Sequence, residues 1–345
     1  MMKSSLFLLL ILLGNTVQSA ITISEHSALD QQLAALEQQH QGRIGVALYQ
    51  PDTGLSYGYR AEERFPFAST FKALLAAAVL QRSEFDPLWL QQVVHYRAED
   101  RQSYAPITRQ HLAHGMSREA LAIASVQHSD NTAANLLLDE LGGLDEFNRF
   151  VAAQGDQKFR LDRHEPNLNS ALPGDDRDTT TPAAMATTLS RLTLGNGLAA
   201  PQRARFNDWL KGNTTGDAAI RAGVPTGWLV GDKTGGGGYG TTNDIAVLWP
   251  KDGAPWCWHS ISPNQAQMPS LNRRYWPKSP VCCSTQPPEP VVHNEESTGV
   301  SSSSPIDHTA ARWAAPRTTP INSSTGRIPP TWYTSIRAAS ALIDA

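Results

Sequence analysis

A serine becomes a nucleophile when a neighbouring base can take its proton, and Ser69-Thr70-Phe71-Lys72 supplies such a neighbour three residues on. Read as a helix, this spacing puts the hydroxyl and the amine on one face, within reach of each other. A serine at a helix start also sits where backbone N–H groups point at developing negative charge. Ser129-Asp130-Asn131 adds a second hydroxyl and an amide, and Lys233-Thr234-Gly235 adds a cation and a hydroxyl at a strand end. Glu165-Pro166-Asn167-Leu168-Asn169 places a carboxylate in a loop between Arg163 and Asp178. Each cluster has a plainer structural use. The first is a helix start, the second a helix cap, the third a strand-end turn and the fourth a solvated surface loop.

These groups need elements to hold them. Helical spacing runs through Leu29–Gln39, Thr70–Gln81, Arg118–His128, Thr132–Leu141, Leu144–Ala153, Pro182–Leu194 and Gln202–Lys211. Ile44–Tyr49 and Leu55–Arg60, joined at Asp52-Thr53-Gly54, read as a β-hairpin. Strands return at Trp228–Gly231 and Asp244–Trp249. Strands, helices, then strands predict one sheet closed by chain segments from both ends, with a helical insertion between them. This α/β plus all-α reading assigns 21–62 and 212–255 to an antiparallel sheet domain and 63–211 to a helical domain carrying Glu165.

The 345 residues carry 29 basic and 32 acidic side chains, a formal charge of -3, which excludes a strongly basic nucleic-acid binder. No apolar run is long enough to span a membrane. Leu6–Leu13, behind Lys3 and ahead of Val17-Gln18-Ser19-Ala20, reads as a secretion signal over residues 1–20, with the periplasm as destination. The three cysteines, Cys257, Cys282 and Cys283, form neither a disulfide framework nor a metal motif. His111 and His114 have no third ligand in view, so neither metal nor cofactor is expected.

Together, in this order and separation, the four clusters resemble those of the class A serine β-lactamases, a likeness extending over about Leu29–Pro255. The resemblance implies a fold and a mechanism. Ser69 would attack the β-lactam carbonyl and form an acyl-enzyme, its proton passing to Lys72 or, through a water, to Glu165. The N–H groups of Ser69 and Gly236 would form the oxyanion hole. Ser129 would hand a proton to the departing ring nitrogen, and Asn131 would hold Lys72 and the substrate's side-chain amide. Lys233 and Thr234, with Gly235 on the same strand edge, would bind the substrate carboxylate. Glu165 and Asn169 would position the hydrolytic water, the Arg163–Asp178 pair would close their loop, and Tyr104 would line the rim. The expected partner is a small β-lactam, and the expected state a monomer. The run Gly238–Asp244 is similar to the extended-spectrum branch but lacks the arginine many members place there. Arg221 is the nearest substitute. A penicillin-binding D,D-peptidase shares the chemistry but has no use for the Glu165–Asn169 pair.

Beyond Pro255 the composition changes, with 13 of the 23 prolines in the last 91 residues. Trp256-Cys257-Trp258-His259 can be encoded only as TGG-TGY-TGG-CAY. Read one nucleotide earlier, these codons give Leu, Met or Val followed by Val-Leu-Ala, an apolar strand of the kind the sheet needs. The reading is therefore a frame shift near Pro255, a non-native tail over 256–345, and a written chain left insoluble or inactive. The alternatives are an authentic low-complexity tail and a non-catalytic exported fragment.

Overall fold

The computed structural model describes residues 28–52 and 54–261. The secretion-signal reading and most of the tail lie outside these residues. A first helix, α1, covers residues 28–40 and buries Leu29 and Leu33, as their spacing predicts. The hairpin follows as β1 (Gly45–Gln50) and β2 (Gly54–Tyr59). Two short antiparallel pairs, β3 (Phe65–Pro66) with β6 (Thr179–Thr180) and β4 (Val93–Val94) with β5 (Met116–Ser117), tie down intervening loops.

The nucleophile helix α2 (Phe71–Arg82) is apolar on nearly every side, and ten of its twelve residues are buried. A helix hydrophobic all round belongs in the centre of a bundle. Around it stand α3 (Arg118–His128), α4 (Asn131–Glu140), α5 (Leu144–Ala153) and α7 (Ala200–Lys211). Stacked Phe67 and Phe159, 4.6 Å between ring centres, with Phe71 and Phe147 edge-on nearby, fill the space beneath its first turn. The remaining long helix, α6 (Pro182–Thr193), leaves the bundle and lies across the sheet on β1 and its neighbours. The short α8 (Ile220–Gly223) precedes β7 (Leu229–Gly236), which pairs with β8 (Thr242–Trp249). No helix among the described residues is long and apolar enough to cross a membrane.

The sheet departs from the sequence reading at one strand. Residues 256–261, assigned above to a non-native tail, form β9 (Trp256–Ile261) in the middle of the order β2-β1-β9-β8-β7. The cause is in the backbone. Without a strand here, β1 and β8 would each present a row of unpaired N–H and C=O groups inside the protein. Any segment able to extend can fill that ladder, and Cys257, Trp258 and Ile261 add buried apolar surface. Trp258 joins Leu29, Leu33, Val46 and Leu248 under α1, whereas Cys257 faces the helical core. The polar residues fit badly. Trp258 Nε1 and Ser260 Oγ are buried with no hydrogen-bond partner among the described residues, and the fully buried His259 ring makes at most a weak bond to the Pro182 backbone.

Candidate active site

The polypeptide enters the site through strained backbone. Ala68, with φ 46°, precedes the nucleophile, and Ser129, with φ 56°, ends α3 in the left-handed region that side chains rarely adopt. Ser69 lies in a 3-10 turn, Ala68–Thr70, whose axis runs on into α2, so Lys72 follows on the same face. Lys72 Nζ donates to Ser69 Oγ at 2.9 Å, to Ser129 O at 2.9 Å and to Asn131 Oδ1 at 2.6 Å. Its ammonium also lies 2.9 Å from Glu165 Oε1, and both side chains are fully buried. Burial pushes the Lys72 pKa down, while the Glu165 charge pulls it back up.

Ser69 Oγ donates directly to Glu165 Oε1 at 2.9 Å. The resemblance left the proton to Lys72 or, through a water, to Glu165, and here the Glu165 carboxylate touches the nucleophile directly. The other carboxylate oxygen accepts from Asn169 Nδ2. Loop position is set from α4: Asn135 Nδ2 donates to Glu165 O at 2.9 Å, and its Oδ1 accepts from Glu165 N at 3.0 Å. Asn135 carries no local sequence signal, because its partner is 30 residues away and the contact is to backbone. At the loop's far end Arg163 Nε pairs with Asp178 Oδ2 at 2.5 Å, the closure expected from the sequence.

The middle residue of Ser129-Asp130-Asn131 performs the plain capping role and frees its neighbours for chemistry. Asp130, fully buried, accepts from Ala133 N to cap α4 and from Ile107 N and Thr108 N across the loop. Asn131 N donates to Tyr104 O, which ties the Tyr104 backbone, its side chain half-exposed, to the start of α4.

The opposite wall is β7. Lys233, fully buried, donates to Ser129 Oγ at 3.2 Å and to Thr234 O at 2.6 Å. Burial, and then the charge of Lys72, pushes its pKa down to about 7. Gly235 has no space for a side chain. A Cβ there would lie 2.9 Å from Phe67 O and 3.1 Å from Ser69 N, so β7 can approach the nucleophile turn only as glycine. Gly236 faces open space beside it. Gly238 N donates to Asn169 O at 2.7 Å, tying this strand end to the Glu165 loop.

Arg221 does not replace the missing arginine. It is committed to Asp232, a buried carboxylate behind Lys233, whose second oxygen accepts from Asn213 Nδ2 at 2.5 Å. Ser69, Lys72, Ser129, Asn131, Glu165, Asn169 and Lys233 thus form one hydrogen-bonded cluster, with Gly235 packed against the nucleophile turn. The groups missed are its supports: Asn135, Asp232 and Asn213.

A family model described as "Beta-lactamase enzyme family" matches residues 28–269. The chain is 53% identical over 237 residues to Beta-lactamase CTX-M-97 and to Beta-lactamase Toho-1, both of Escherichia coli, covering 69% of this chain and 81% of each relative. Among solved structures it is similar to the last common ancestor of Gram-negative bacteria class A β-lactamase, with TM-score 0.68, 51% identity, and coverage of 70% of this chain and 92% of that one. The β-lactamase from Desulfarculus baarsii matches with the same TM-score at 50% identity, covering 70% of this chain and 90% of that one.

Proposed function

The chain belongs to the beta-lactamase enzyme family, and on that premise we propose how its residues divide the work. The enzyme hydrolyses the β-lactam ring, giving antibiotic resistance, through the serine acyl-enzyme general to its class. One observation carries the assignment of roles: the buried triangle of Ser69 Oγ, Lys72 Nζ and Glu165 Oε1, with every side 2.9 Å. Lys72 Nζ lies within bonding reach of Ser69, Ser129, Asn131 and Glu165, and Ser69 Oγ itself donates to Glu165. The Ser69 proton therefore points to Glu165, which acts as base while the ammonium stabilises the developing alkoxide. Glu165 and Asn169 then activate the water that releases the product. Ser129, held by both lysines, relays a proton to the ring nitrogen. Lys233 and Thr234 receive the substrate carboxylate, Asn131 the side-chain amide, and the N–H groups of Ser69 and Gly236 the oxyanion. Residues 1–20 direct the enzyme to the periplasm, where it acts as a monomer without metal or cofactor. Support for that destination is the apolar run behind Lys3.

Intact-mass spectrometry during turnover of a chromogenic cephalosporin tests the assignment. A transient one-to-one adduct mapping to Ser69, followed by release, is expected. A stable adduct without turnover would leave an acylating sensor or peptidase instead.

Lys233 gives the reaction a pH dependence. The group must be charged to bind a carboxylate, and its pKa lies near 7 instead of 10.5. Thus kcat/KM for carboxylate-bearing substrates is expected to fall as pH rises through this region in the free enzyme. kcat holds to higher pH, because a bound carboxylate stabilises the cation. A kcat/KM profile flat to pH 10 would remove Lys233 from this role.

A further inference from the structure

We infer that the Thr215 hydroxyl is a positioning group that orients Thr234 toward the substrate's anion from behind the strand. The inference rests on the reading of Lys233 and Thr234 as the carboxylate subsite.

Thr215 Oγ1 lies 2.5 Å from Thr234 Oγ1, and either oxygen could be the donor. The surrounding groups decide which. Asp232, already paired with Arg221, accepts from Asn213 Nδ2 at 2.5 Å. That contact fixes the amide, so Asn213 Oδ1 faces Thr215 and accepts from Thr215 N at 3.1 Å and Thr215 Oγ1 at 2.9 Å. With its proton given to Asn213, Thr215 can only accept from Thr234. In the unliganded site the Thr234 proton is therefore turned away from the cleft.

An arriving carboxylate has no proton to offer and needs a donor. The Thr234 hydroxyl turns to it, and the Thr215 hydroxyl turns from Asn213 to Thr234 Oγ1. Asn213 Oδ1 keeps the Thr215 N–H, so the exchange leaves no buried acceptor empty. In the bound state Thr215 donates into the oxygen of the group that holds the anion. A hydroxyl that accepts one hydrogen bond donates the next more strongly. Valine, close in shape, can do neither.

The test compares Thr215→Val, Thr215→Ser, Thr234→Val and the Thr215→Val/Thr234→Val double variant of the full chain. Each is assayed on a penicillin and on the methyl ester of its carboxylate. Thr215→Val is expected to raise KM for the acid about 3- to 10-fold, the worth of one neutral hydrogen bond, with no matching rise for the ester. Serine should restore the acid KM, and the double variant should be no worse than Thr234→Val alone. An equal loss on both substrates, or a loss additive with Thr234→Val, overturns the inference. If Thr234→Val itself leaves the acid KM unchanged, the subsite reading has failed and the inference falls with it. If Thr234→Val raises KM and Thr215→Val does not, the subsite stands and only the role of Thr215 is wrong.

Discussion

Glu165→Ala is expected to convert the enzyme into a penicillin trap, with acylation continuing and release stopped. The two half-reactions lose different things. Deacylation needs a base beside a water, the role proposed above for Glu165 with Asn169. Removal of a positioned general base costs about 10²- to 10⁴-fold in rate. Acylation has a reserve. The Lys72 pKa is pushed down by burial and held up chiefly by the Glu165 charge. With that charge gone the lysine loses its proton more readily, and a neutral amine 2.9 Å from Ser69 Oγ can take the serine proton. One equivalent of penicillin should bind within the dead time of a slow assay and stay for hours by intact-mass measurement. Ser69→Ala in the same assay should show no adduct, because no base can substitute for the missing nucleophile. Rapid turnover by Glu165→Ala would remove Glu165 from the release step.

What was legible in the sequence follows the range of each interaction. Ser69 and Lys72 are three residues apart on one helix, so local geometry predicts their contact, and the contact is there. Helix bounds came within a residue or two because the apolar spacing that marks them also buries them, as at Arg118–His128 and Leu144–Ala153. Asn135, which holds the Glu165 backbone, and Asn213, which holds Asp232, were not legible. An asparagine bonded across 30 or 19 residues leaves no periodic trace. Arg221 was seen but misplaced, since sequence separation says nothing of which side of a strand it reaches. The error at β9 has the opposite origin. Its side chains read as unfit for a central strand, but the vacancy is defined by the backbones of β1 and β8, which accept any extended segment.

That acceptance has a cost, from which the last prediction follows. Replacing Trp256-Cys257-Trp258-His259 with Leu-Val-Leu-Ala, one of the sequences encoded one nucleotide earlier, is expected to stabilise the enzyme substantially. His259 is paired with Ala47 on a face where Ala47, Ala183 and Ala186 pack together under α6. The alternative frame supplies a further alanine beside these alanines. The substitution removes the orphaned Trp258 Nε1 and the poorly bonded His259 ring, at about 1–3 kcal/mol each. Part of that gain is offset by the lost indole surface, leaving a net gain of about 2 kcal/mol against a total of about 5–15. Melting should rise by roughly 4–8 °C, with a larger soluble yield at 37 °C. His259 also gives a signature in acid. Burial pushes its folded pKa down to about 3, whereas an unfolded chain takes up that proton below about 6.5. Its neutral form therefore contributes fully above pH 6.5. Between 6.5 and 3, stability of the written chain should fall by about 1.4 kcal/mol per unit from this residue alone. The replaced strand should lack that slope. Equal melting temperatures and equal acid slopes would show that β9 as written is well accommodated, and a coding sequence verified through His259 would exclude the frame shift.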